Sequence, residues 1–172
     1  MEAKKIFNNT VLTFGAMYGI LAILFTFVNS PTDDPKTTSK MIIGIVSLII
    51  FISISIFAVR YYKNQGFDVT LGKSIKLGVL LGLFGGLIVG VYSYFYFAYV
   101  NPEAIDQVIE MSKKIIEDND KFTPEMVEKQ QEITRKMFLP MQLVGNIFGG
   151  LIYGLIGGLL GGLFYKTPTQ DY

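Results

Sequence analysis

The sequence predicts an all-α, polytopic membrane protein: a bundle of four transmembrane helices with an extramembrane amphipathic helical hairpin between helices three and four. Three observations predict it. Apolar residues make up 51% of the 172 and charged residues only 17%, whereas a soluble domain carries about 25% charged residues. The charges fall into short clusters separated by long uncharged stretches, and four of these stretches match the ~20 residues that span about 30 Å of hydrocarbon. A segment of that length in lipid must be helical, because only a helix pairs its own backbone polar groups within the segment. The whole chain, 1–172, reads as one membrane domain.

The first span is expected over residues 10–28, in a stretch without charge between Lys5 and Asp33. Lys4 and Lys5 ahead of it imitate a secretory signal, but the apolar run is too long for a signal core and no small-x-small cleavage pattern follows. It is read as an uncleaved transmembrane helix. The polar turn Ser30-Pro31-Thr32-Asp33-Asp34-Pro35 then closes a hairpin to a second span over 41–59. Asp33 and Asp34 are two adjacent carboxylates, far short of the roughly six to eight oxygens around a calcium ion.

Residues 60–76 read as a basic loop and 77–100 as the third span. Residues 101–136 are the one sizeable extramembrane piece. Asn101 and Pro102 suit a helix start. Ile105, Val108, Ile109, Ser112, Ile115 and Ile116 recur at helical spacing behind them. Asp118-Asn119-Asp120 breaks that pattern, and Thr123-Pro124-Glu125 starts a second helix with Met126, Val127, Ile133 and Met137 as its apolar stripe. The stripes suit packing on each other, on the membrane surface or on a partner. Pro140 marks a kink or the start of the fourth span, over 141–165.

The strongest local pattern is glycine. Gly78, Gly82, Gly86 and Gly90 recur every four residues in the third span, and Gly150, Gly154, Gly158 and Gly162 do so in the fourth, with Gly145, Gly149, Gly157 and Gly161 beside them. Gly15 and Gly19 repeat the spacing once in the first span. Residues four apart share a helix face, and a face without side chains lets a second backbone come close, the contact that drives helix association in lipid. Such a glycine zipper serves either the third and fourth helices of one chain or two copies of the chain.

Ionisable residues inside a membrane mark proton relays and ion paths, and the four spans carry no Asp, Glu, Lys or Arg. The most polar groups at depth are Gln142 and Asn146, four apart on one face, with a few Ser, Thr and Tyr. They suit hydrogen bonding between helices or contact with a substrate. Tyr92, Tyr94, Tyr96 and Tyr99 crowd the end of the third span, where they form an aromatic belt or line a pocket; Tyr61 and Tyr62 sit at the opposite interface. The chain has neither His nor Cys, so the commonest general base, thiolate chemistry and disulfides are absent. Gly66 to Lys73 matches no phosphate-loop spacing. No enzyme activity, metal or cofactor is expected, and a net charge of +1 gives nucleic acid no field to follow.

Basic residues set orientation. Seven lie on the side of the termini and eight on the other, but Arg60, Lys63, Lys73 and Lys76 are dense in a short loop with a single Asp, whereas residues 101–136 dilute six basic residues among nine acidic ones. Both termini and the basic loop are therefore expected in the cytoplasm, with Arg60, Lys63, Lys73 and Lys76 against anionic lipid heads.

The same loop resembles a known family. Arg60-Tyr61-Tyr62-Lys63, then Gly66-Phe67-Asp68-Val69-Thr70-Leu71-Gly72-Lys73 leading into Ser74-Ile75-Lys76-Leu77-Gly78, is similar to the loop of small four-helix inner-membrane proteins of Bacteroidetes classed as domain of unknown function 4199 (DUF4199). The Asn101-Pro102 step after an aromatic helix end is similar too, and the fourth span is richer in glycine than that family suggests. The resemblance covers essentially the whole chain and implies a bacterial inner-membrane location, with no catalytic or binding residues. The function expected is a non-enzymatic membrane protein that packs on other membrane components as an accessory subunit. Its partners are the lipid bilayer and a second copy or a membrane-protein partner. The alternative is a small oligomeric transporter or channel with the glycine faces, Gln142 and Asn146 along its path.

Overall fold

Capping chemistry sets the ends of the helices. Thr70 stands extended and its hydroxyl accepts from the Lys73 N–H at 3.2 Å, opening one helix. Thr123 does the same for the Met126 N–H at 3.4 Å, with Pro124 in the first turn, where its missing N–H is not needed. Gly66, at φ +84°, adopts the left-handed conformation that turns the chain after Asn64. The computed structural model describes residues 2–28, 38–117 and 123–167. In these it contains α1 (Glu2–Val28), α2 (Thr38–Asn64), α3 (Leu71–Phe95) with a π-helical turn Tyr96–Val100, α4 (Glu103–Glu117) and α5 (Pro124–Tyr165). Four helices are long and apolar enough to cross a membrane: Glu2–Phe27, Met41–Asn64, Leu71–Val100 and Glu125–Tyr165.

Several boundaries differ from expectation. The first helix starts at Glu2, eight residues before position 10, because the polar residues there fit a helix that leaves the apolar zone. The basic loop shrinks to the residues between Asn64 and Leu71: Arg60 and Lys63 end α2, and Lys73 and Lys76 open α3. The largest correction concerns Pro140. Rather than a boundary at 136 or 141, one 42-residue helix runs through it, so the second arm of the expected hairpin and the fourth span are a single element. Proline removes one N–H and crowds the carbonyl four residues earlier. Phe138, just before Pro140, is buried on Phe97 and Ala104. The turn Ser30–Pro35 with Asp33 and Asp34, and the break Asp118-Asn119-Asp120, lie outside the described residues.

The long helices alternate in direction, and Glu2 and Thr167 lie at one end. There the Thr167 N–H donates to the Val69 carbonyl at 2.9 Å, and the Val69 N–H donates to the Thr167 hydroxyl at 3.0 Å. α3 packs most extensively on α5, then on α1, and α2 lies against α5. In the half near the termini Ala58, Val59, Leu77 and Leu81 are fully buried or nearly so, and Tyr62 is wedged between Phe7 and Phe67. The outer surface of the helices is apolar instead: Ile20, Leu24, Ile45, Ile49, Phe148, Ile152 and Phe164 are all about half exposed or more. A soluble bundle hides such residues. At the opposite end α4 rests on the α3 extension and on α5 through Phe97, Ala104 and Phe138, and Asp106 pairs with Arg135 on the surface.

Candidate functional site

The glycines of α5 face three different ways. A Cβ added at Gly150 or Gly154 would run into the backbone carbonyl of Gly82 or Gly78, and reciprocally, while one at Gly158 would sit 2.7 Å from the Ser74 carbonyl. On α3, a Cβ at Gly86 would lie 2.5 Å from the Asn146 carbonyl, and one at Gly90 2.9 Å from that of Leu143. Gly78, Gly82, Gly86 and Gly90 thus meet the backbone of α5 and let the helices touch along this line. Gly162 differs from its expected companions: it meets the side chains of Leu71 and Ser74. The Ser74 hydroxyl, buried, donates to the Gly158 carbonyl at 2.6 Å and ties the same seam. Gly157 and Gly161 turn to α2, against Ser55 and Val59. Gly85, a glycine outside the four-residue series, meets Tyr18 and the Gly15 carbonyl of α1.

Gly145 and Gly149 face neither helix. A Cβ at either would meet nothing within 4 Å. Both open onto a cavity of about 400 Å³ in the half of the bundle away from the termini, walled by all four long helices. α1 contributes Tyr18, Ala22, Phe25 and Thr26; α2 contributes Ser47 and Phe51. α3 and its extension contribute Val89, Ser93 and Phe97, and α5 adds Gln142, Asn146 and Tyr153. The spacings are those of one helix face each. A groove along α5, from Gln130 through Met137 and Met141, shares Gln142, Gly145 and Asn146 with the cavity and leads away from it.

The lining mixes apolar and neutral polar groups, and among the described residues it carries no acid, amine, guanidinium or thiol. Phe51 is the centre of an aromatic wall, 4.7 Å from Tyr18, 5.9 Å from Phe25 and 6.0 Å from Tyr153, ring centre to ring centre. Several polar protons are already used. Thr26 donates to the Ala22 carbonyl at 3.0 Å, Ser47 to that of Ile43 at 2.8 Å, and the Asn146 amide to that of Gln142 at 2.6 Å. The Ser93 hydroxyl, on a residue 3% exposed, and the Gln142 amide make no protein hydrogen bond among the described residues.

Of the residues singled out in the sequence, Gln142 and Asn146 reach the cavity, and the tyrosines at the end of the third span do not. Tyr92 and Tyr96 stack on each other and on Phe27, and Tyr94 and Tyr99 gather around Phe95 with outward exposure. The pocket tyrosines are Tyr18 and Tyr153. The signal for Tyr18 was its place in a four-residue series with Ala22 and Thr26 on one face of α1; Tyr153 carried no such signal. Arg60, Lys73 and Lys76 are exposed at the other end, Lys63 is half-buried, and Lys73 Nζ donates to the Asp68 carbonyl at 3.2 Å.

No curated protein and no solved structure matches the chain. The model of a family described as protein of unknown function, DUF4199, matches residues 13–167, most of the chain, and the chain belongs to that family.

Proposed function

We propose that this chain is a non-enzymatic multi-pass protein of the bacterial inner membrane that binds a small molecule in the cavity between its four long helices. The observation that carries this reading is the open space in front of Gly145 and Gly149, bordered by side chains of four helices and lined with apolar and neutral polar groups. A cavity kept open by glycine in a chain that elsewhere uses glycine to bring backbones together is a built feature, and concave sites between helices are where bundles hold ligands. The pocket is one-sided. Beyond it Ala58, Val59, Leu77 and Leu81 fill the bundle, which favours a binding protein or one state of a carrier over an open channel.

With the termini and the basic cluster Arg60, Lys63, Lys73 and Lys76 in the cytoplasm against anionic lipid, the pocket faces the exterior half of the bilayer. The glycine faces that would recruit a second copy or another membrane protein are occupied within the chain, so homo-oligomerisation through them has little support. Native mass spectrometry of the protein gently extracted from its membrane tests the reading. The expected result is a monomer with a small-molecule adduct that disappears in Gly149→Leu. A reproducible heteromeric complex without adduct would make the chain an accessory subunit instead.

A further inference from the structure

The cavity has a composition that selects its occupant. Among the described residues no charged side chain lines it, and an unpaired charge brought against them loses its hydration without compensation. Phe51 with Tyr18, Phe25 and Tyr153 offers faces and edges against which a planar ring packs well. The hydroxyl proton of Ser47 and that of Thr26 are committed to backbone carbonyls, whereas Ser93 and Gln142 have donors to give. The Ser93 hydroxyl borders the cavity space, so a ligand oxygen placed there can accept from it. The volume of about 400 Å³ falls in the lower part of the roughly 300–1,000 Å³ of small-molecule sites.

We infer that the cavity takes an uncharged small molecule built on a planar ring that carries a carbonyl or hydroxyl oxygen, the ring against Phe51 and the oxygen accepting from Ser93 or Gln142. This rests on the binding reading above and adds the ligand class. The groove along α5 that shares Gln142, Gly145 and Asn146 with the cavity is its approach.

Photolabelling of the full chain in lipid–detergent micelles tests it with benzophenone, an uncharged aromatic ketone, and 4-carboxybenzophenone, its carboxylate counterpart. The neutral probe should label peptides containing Ala22, Ser93 or Gly149, and the carboxylate should label them about tenfold less or weaker still. Gly149→Leu fills the open space and should abolish the labelling while the helix content stays that of the parent and stability is not lowered. Ser93→Ala, a smaller change, should lower labelling by about threefold to tenfold, as the loss of one hydrogen bond does. Equal labelling by both probes overturns the ligand class and leaves the binding reading standing. Labelling that Gly149→Leu and Ser93→Ala both leave unchanged overturns the cavity as the site. No labelling by either probe also overturns the class, leaving a pocket that holds water alone.

Discussion

Gly82→Ala, set against Gly149→Ala, separates the two uses this chain makes of glycine. A Cβ at Gly82 lands on the Gly150 carbonyl, 2.7 Å from its carbon and 3.2 Å from the Gly154 Cα. These are backbone atoms held by the hydrogen-bond ladder of α5, so no side chain can rotate away and the two helices must separate. Separation also loosens the contacts at Gly78 and Gly86. Overpacking of this kind falls at the top of the ~1–3 kcal/mol range, offset by about 1 kcal/mol from the better helix propensity of alanine. The net is a loss of about 2 kcal/mol. At Gly149 the added methyl meets open space, so only the propensity gain of about 1 kcal/mol remains. Reversible unfolding in mixed micelles, titrated with dodecyl sulfate and followed by tyrosine fluorescence, should thus rank the two variants about 3 kcal/mol apart. Gly82 and Gly150 obstruct each other, so one separation serves both, and the double variant Gly82→Ala/Gly150→Ala should cost less than the sum of the singles. If Gly82→Ala proves as stable as Gly149→Ala, the seam described here does not exist.

Other predictions concern the remaining contacts. Ser74→Ala removes the buried bond to the Gly158 carbonyl and should cost about 0.6–1 kcal/mol in the same unfolding assay. Phe97→Ala should cost about 3–5 kcal/mol, since this ring is 3% exposed and packs edge-to-face on Phe138; it should also speed amide exchange in α4, which rests on the same cluster. Asp106→Asn breaks a pair whose partners are both more than half exposed, and stability should change by less than about 1 kcal/mol. Neutralising Arg60, Lys73 and Lys76 together should lower the amount of phosphatidylglycerol that stays bound to the chain on mild detergent extraction, read by native mass spectrometry, and leave retained zwitterionic lipid unchanged.

The sequence and the structure agree on what length and hydropathy determine. Four apolar stretches become four long helices, because an uncharged run of that length has one way to pair its backbone in lipid. The start at Thr123-Pro124 was legible because capping is local. Pro140 left two readings open, a kink or a helix start, because its effect is local; the structure places it inside one continuous helix. The glycine series gave a face without its partner: a residue with no side chain leaves no complementary pattern to match. In α5 glycines at 145 and 149, at 150, 154 and 158, and at 157 and 161 point in three directions that no one-dimensional period distinguishes. The cavity was least legible. Gln142 and Asn146 stood out as amides at depth, but Tyr18, Ser47 and Ser93 join them only once four distant helices are side by side.

The measurement that bears most directly on the account is the reactivity of single cysteines with N-ethylmaleimide, an uncharged reagent, in a chain with no cysteine of its own. Thiolates form and react only where water reaches them. Ala22→Cys places a thiol on the cavity lining, and Ala58→Cys places one in the packed half, where the parent residue is wholly buried. The account predicts that Ala22→Cys reacts readily in native membranes and slows in Ala22→Cys/Gly149→Leu, while Ala58→Cys stays inert. An inert Ala22→Cys, or an Ala58→Cys that reacts as fast, would contradict a one-sided pocket between the four helices.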